Sequence, residues 1–219
     1  MKKIVCFGDS NTWGYNPEDG SRYDEKTRWP RVMGSLLGDG FEIIEEGQNG
    51  RTIANEDPWE WGTKSGMDYV LPMMESHKPF DLLIIMLGSN DLKIKFGLPA
   101  ADIAGSLRNM LMKIRGFARY RMGQPDLKIL VVSPPLIRKG PEDFVFEPTF
   151  GKSAADRSRE LAPYYRQAAE QFGCSFLDAG AYVEGSPEDC LHLTPEGHAL
   201  LARKMYEKVL EISGGKENR

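Results

Sequence analysis

Five short runs of apolar and β-branched residues constrain the fold of this chain more than any other feature: Lys3 to Gly8, Phe41 to Glu45, Asp81 to Leu87, Lys128 to Ser133 and Cys174 to Asp178. Each has the length of a strand. The segments between them carry helical spacing instead. Ile103, Leu107, Met110, Leu111, Ile114 and Phe117 recur every three or four residues and so share one face of a helix. Strands that alternate with helices predict an α/β fold, a mainly parallel sheet with helices on both faces. Leu82-Leu83-Ile84-Ile85 and Ile129-Leu130-Val131-Val132 are nearly continuous in apolar character, as strands covered on both sides are, and belong at the sheet centre. Thr194-Pro195 reads as N-cap and first turn of a last helix running to about Ile212. Ser153-Ala154-Ala155-Asp156 resembles a capping box opening the helix that carries Leu161, Tyr165 and Ala168.

With 219 residues and no repeat, low-complexity block or linker, residues 1–219 are expected to form one domain with a substantial core. Residues 134–152 form a long Pro/Gly-rich connection carrying Phe144, Phe146 and Phe150, expected to be a lid over a substrate channel or a subunit contact; the alternative is a surface loop with its aromatics packed down. Residues 213–219 are expected to be a disordered tail. The 28 basic and 32 acidic residues leave a formal charge of -4 without a single-sign run, which argues against a nucleic-acid partner. Cys6, Cys174 and Cys190 lack paired ligand spacing and suit buried thiols in a reducing compartment rather than a disulfide framework. The N-terminus runs from Met1-Lys2-Lys3 straight into a strand too short for a signal sequence or membrane span, so the expected location is the cytoplasm, with no membrane partner.

In open parallel sheets, ligands bind outside the carboxyl ends of the strands. Ser10 follows the first strand, Asn49-Gly50-Arg51-Thr52 the second, Gly88-Ser89-Asn90-Asp91 the third and Asp189-Cys190-Leu191-His192 the fifth, so all four segments reach one rim. Taken alone, Gly8-Asp9-Ser10 is ordinary turn chemistry, and Gly-Ser-Asn-Asp is a helix-capping turn. Together they supply the inventory of acyl transfer: a hydroxyl nucleophile, a base with a carboxylate to orient it, and donors for a developing oxyanion. A serine hydroxyl is a poor nucleophile until an imidazole takes its proton, and His192 is the expected base. Asp189, three residues earlier, reaches the same imidazole from a helical turn. Asn90 offers a side-chain amide, Gly50 an uncrowded N–H and Ser10 its own N–H as oxyanion donors. His77 and His198 are read as surface or structural histidines.

At these places the chain resembles the GDSL, or SGNH, hydrolase family, with the blocks in family order from Gly8 to His192. The resemblance implies a three-layer α/β/α flavodoxin-like fold with a five-stranded parallel sheet. It also implies Ser10, Asp189 and His192 as a triad, and Gly50 and Asn90 in the oxyanion hole. Cys6 to Gly14, Glu45 to Thr52, Ile85 to Asp91 and Val131 to Pro135 look more closely like the arylesterase branch that contains acyltransferase/perhydrolase enzymes. That branch implies a homo-oligomer with aromatic-lined channels, in which Asn11, Trp13 and Phe150 would border the substrate. Asn11 stands where the motif carries leucine, and Gly50 where the acyltransferase carries alanine. Hydrolysis is therefore the first expectation, and transfer to alcohols or peroxide the second.

The expected function is a serine esterase acting on small acetyl-type or aryl esters without cofactor or metal. A carbohydrate acetyl esterase of the same family is the alternative. Two non-catalytic readings stand against these. A phosphate-binding α/β protein lacks its motif, because no Gly-x-Gly-x-x-Gly follows the first strand and Phe146 takes the first glycine position of a Walker loop ending in Gly151-Lys152-Ser153. A carbohydrate-binding protein would stack sugars on Trp13, Trp59 and Trp61, but packing or an interface is the favoured reading of the tryptophans in Pro58-Trp59-Glu60-Trp61. Three scattered histidines without paired spacing argue against a zinc enzyme.

Overall fold

The computed structural model describes residues 1–140 and 145–214. Five strands, β1 (Lys2–Gly8), β2 (Phe41–Gly47), β3 (Leu82–Met86), β4 (Lys128–Ser133) and β5 (Ser175–Asp178), form one sheet in the order β2-β1-β3-β4-β5. Every pairing is parallel, as strands joined by helical crossovers must be. This is the three-layer architecture expected from the sequence. β3 lies at the centre and is buried along its whole length, in keeping with its unbroken apolar run.

Side chains on each strand alternate between two cores. Val5, Phe7, Leu83, Ile85, Ile129 and Val131 enter one core, and Ile4, Cys6, Leu82, Ile84, Leu130 and Val132 the other. The first is closed by α3 (Gly66–His77), α4 (Ala100–Phe117) and α7 (Leu161–Gln171). The second is closed by α2 (Trp29–Leu37) and α8 (Pro195–Ser213). Each aliphatic side chain so buried contributes about 1.5–3 kcal/mol. Within α4, Ile103, Leu107, Met110, Leu111 and Ile114 are buried, the face their spacing predicts. Thr194 caps α8 by accepting from the Gly197 N–H, and the helix runs one residue past Ile212.

The capping expectation at Ser153 is corrected. Ser153 sits at φ -87°, ψ 4° and makes no side-chain cap bond, because this backbone is not the extended conformation that aims an N-cap hydroxyl at the first turn. The helix it was expected to open is divided into α6 (Ala154–Arg159) and α7, with Glu160 between them.

Register places the functional rim. Gly8 pairs with Gly47 on one side and Met86 on the other, so β1, β2 and β3 end level. The long 134–152 connection is tied down at its start, where the Ile137 N–H donates to Ser158 Oγ and the Arg138 N–H to the Cys190 carbonyl. It returns through α5 (Glu147–Phe150). Phe144 and residues 215–219, on which part of the loop and tail expectations rest, lie outside the described residues. All three cysteines are free thiols, Cys6 and Cys190 buried and Cys174 half-buried.

Candidate active site

The chain leaves β1 at Gly8 and turns at once into a single helical turn, α1 (Ser10–Trp13). Asp9 makes this turn by accepting the Asn11 N–H at Oδ1, 3.0 Å away. Gly47 makes room for it: a Cβ there would lie 2.2 Å from the Trp13 backbone nitrogen, so only glycine lets α1 rest on the end of β2. Ser10 is thus the first residue of α1, and its N–H is among the amides for which a helix supplies no acceptor.

Ser10 Oγ lies 2.9 Å from His192 Nε2, and His192 Nδ1 lies 2.5 Å from Asp189 Oδ2. A carboxylate at Nδ1 holds the proton on that nitrogen and leaves the Nε2 lone pair facing the hydroxyl. The means of bringing Asp189 to His192 differs from the expected helical turn. Residues 187–189 form a non-helical turn, and Cys190 has φ 63°, which reverses the chain. Asp189 Oδ1 then accepts the Leu191 and His192 N–H groups at 2.9 and 2.8 Å, and the Ser186 hydroxyl at 3.2 Å. Burial pushes the Asp189 carboxyl up, but the His192 hydrogen bond and charge and the two amides outweigh it and hold the group below its ordinary 3.8.

Gly50 and Asn90 line the same pocket as Ser10 and His192. Gly50 has φ 78°, a left-handed conformation that glycine adopts without strain. Asn90 Nδ2 donates one hydrogen to the Arg51 carbonyl at 3.1 Å, and an amide nitrogen carries a second. Arg51 ties these segments together from beneath. Its guanidinium donates to the Gly8 carbonyl at 2.8 Å, to the Glu46 carbonyl and to Gln48 Oε1, while burial lowers its pKa to about 10. The pocket encloses about 220 Å³. A hollow of about 480 Å³ opens at the opposite, amino-terminal end of the sheet, around Lys2, Asp81 and Gln124, away from the serine and histidine.

Of the three residues expected to border the substrate, Phe150 lines the Ser10 pocket, whereas Asn11 and Trp13 do not. Asn11 is buried and its amide is spent on the chain around His192: Nδ2 donates to the Leu191 carbonyl at 3.3 Å and Oδ1 accepts the Leu193 N–H at 3.0 Å. Trp13 instead carries the Arg22 guanidinium over its ring, 5.3 Å from the centroid. Sequence reasoning missed Tyr15, whose ring packs 4.1 Å from the His192 imidazole, and the wall residues Glu60, Lys93 and Thr149. Phe146, seen only as one of the loop aromatics, meets the imidazole edge-on at 5.7 Å.

The rival histidines belong elsewhere. His77 Nε2 pairs with Glu46 Oε1 at 2.6 Å. His198 is wholly buried, accepts the Trp29 N–H at Nδ1, and is pushed down to about 3 by burial and by the positive charges of His192 and Arg28. Among the described residues, no group of three or more His, Cys, Asp or Glu could hold a metal ion, and no helix is long and apolar enough to cross a membrane.

A serine, imidazole and carboxylate in line, at the carboxyl rim of a parallel sheet, define a class of acylhydrolase-like sites. Residues 6–200 match the GDSL-like lipase/acylhydrolase family, and the chain belongs to that family. It is 34% identical to a carbohydrate acetylesterase from Sinorhizobium meliloti, covering 97% of this chain and 100% of that one with a TM-score of 0.88. It is 33% identical to the M. smegmatis aryl esterase, covering 96% and 99% with a TM-score of 0.87. An acetylxylan esterase from Xylanibacter ruminicola is 23% identical over 217 residues, and the chain spans 42% of the length of that curated relative. The expected family and fold are borne out.

Proposed function

We propose that the protein is a serine esterase that hydrolyses small acetyl-type or aryl esters through an acyl-enzyme on Ser10. The observation that carries this reading is the unbroken path from the Asp189 carboxylate through the His192 imidazole to the Ser10 hydroxyl. His192 takes the Ser10 proton as Oγ attacks the ester carbonyl, and Asp189 steadies the imidazolium. The Ser10 and Gly50 N–H groups and the Asn90 amide receive the oxyanion. The imidazolium then protonates the departing alcohol, and His192 activates water to release the acid. An alcohol or a peroxide in place of water would give acyl transfer. The pocket of about 220 Å³ supports a short acyl group.

A carbohydrate acetyl ester is the second reading. It is favoured by the relatives that act on carbohydrate and by Trp59 and Trp61, which stand exposed on either side of the pocket residue Glu60. The remaining proposals are that residues 1–219 act as one domain, with 134–152 serving as lid or subunit contact, and that the protein is a cytoplasmic homo-oligomer. The single sheet shared by both cores supports the first. An ester panel of increasing acyl length, run with and without added alcohol on wild type and Ser10→Ala, tests the activity. Short acyl esters turned over by wild type alone support the reading, and a preference for long chains counts against it. Light scattering on the purified protein tests the assembly.

A further inference from the structure

The pocket wall is of two kinds. Tyr15, Phe146, Phe150 and Leu191 make part of it apolar, while Glu60 and Lys93 bring charge to the rest. The Lys93 ammonium is almost wholly buried and lies 2.8 Å from Asp57 Oδ2 and 3.0 Å from Glu60 Oε1. Asp57 is buried too, also accepts the Lys95 ammonium, and bonds the Trp59 N–H at 3.1 Å, which fixes the turn just ahead of Glu60. Lys64 stands 4.0 Å from the second Glu60 oxygen. Glu60 is therefore anchored, yet 38% of its side chain is exposed.

Its position relative to the chemistry follows from Gly50. A methyl group built on Gly50 would lie 3.2–3.3 Å from the Glu60 carboxyl group, so the carboxylate covers the same residue whose N–H would hold the oxyanion. An ester bound with its carbonyl at Gly50 and Asn90 has substituents within reach of Glu60. A carboxylate only accepts hydrogen bonds, so hydroxyl groups are matched there, and its charge offsets the Lys93 and Lys64 ammoniums that would otherwise draw in anions. Against a purely apolar ester, a carboxylate in the wall would be desolvated without return.

We infer that Glu60 is a specificity-determining residue, accepting hydrogen bonds from hydroxyl groups on the alcohol part of the ester and disfavouring anionic esters. The inference rests on the esterase reading above. It is tested with three acetates on wild type, Glu60→Gln and Glu60→Ala: a monoacetylated methyl xyloside, phenyl acetate and 4-acetoxybenzoate. In both variants, kcat/KM for the xyloside relative to phenyl acetate should fall about tenfold, the equivalent of about 1.4 kcal/mol. The same ratio for 4-acetoxybenzoate should rise several-fold. Gln retains an oxygen for Lys93, so the glutamine variant tests charge with the wall still tied. Ratios within twofold of wild type in both variants, including an equal fall on all three esters, overturn the role of Glu60 while leaving the esterase reading intact. Wild-type protein inert on all three overturns both.

Discussion

Asn11 and His192 are 181 positions apart, yet the amide of Asn11 bonds the residues on both sides of the histidine, the Leu191 carbonyl at 3.3 Å and the Leu193 N–H at 3.0 Å. Because Asn11 directly follows Ser10, this double contact ties the Ser10 turn to the His192 segment. In the proposed mechanism Asn11 would act as a positioning residue. Asn11→Leu should lower kcat by about 10–100-fold with little change in KM, since a displacement near 1 Å costs about that much in rate. Asn11→Asp, which keeps one acceptor for Leu193, should recover part of the loss. Equal kcat in all three proteins, with only the melting temperature changed, would reduce Asn11 to a packing role.

Asp189 should be far less replaceable than its neighbours. Asp189→Asn preserves size and one amide-accepting oxygen, but it removes the charge that stabilises the imidazolium and favours the wrong tautomer. By analogy with other triads, kcat should fall by about 10⁴-fold. Steady-state kinetics on phenyl acetate check this, and a loss under tenfold would place the orienting group elsewhere.

Phe146 lines the Ser10 pocket, standing edge-on to the His192 imidazole and T-shaped against Phe150 at 6.3 Å. Phe146→Ala should raise kcat/KM for butanoyl over acetyl esters by about tenfold, because two added methylenes that find apolar room are worth about 0.8 kcal/mol each. An unchanged chain-length profile would show that another wall limits the acyl group.

Two buried carboxyls give stability an unusual pH dependence. Burial raises Asp91 to about 7, against the Ile53 N–H and Asn55, with the charge of Asp9 adding to the rise. Burial likewise raises Asp9 to about 6. A raised carboxyl stabilises the fold fully below its ordinary 3.8, and that contribution is lost as pH climbs through the folded value. Asp91→Asn should therefore flatten the fall in unfolding free energy between about pH 4 and 7, by up to about 1.4 kcal/mol per pH unit. His198 works in the opposite sense. Its contribution is complete above 6.5 and lost as pH falls through about 3. His198→Leu should remove that acid loss at a cost of about 1–3 kcal/mol from the unpaired Trp29 N–H. Urea titrations at several pH values check both, and parallel curves for variant and wild type would contradict them.

The parallel sheet, its central strands and the meeting of Ser10, Asp189 and His192 on one rim were legible because each rests on a local pattern plus one topological rule. Apolar runs mark strands, and the carboxyl ends of parallel strands share a rim. Asn11 was misread as a substrate contact because its partners lie 180 and 182 positions away, a distance that no window of sequence spans. Glu60 and Lys93 stayed hidden for a related reason. Their 33-residue separation becomes a 3.0 Å contact only when the segment around Asp57 folds onto Lys93 and Lys95, beyond β3. Ser153 failed for lack of backbone information, since its residue type suits a cap and its ψ of 4° does not.

The central claim is that Ser10 carries the acyl group. Turnover of phenyl acetate by wild type and Ser10→Ala, both shown to be folded by their melting curves, tests it directly. The kcat of Ser10→Ala should fall by on the order of 10⁶-fold. Turnover by Ser10→Ala within tenfold of wild type would contradict it.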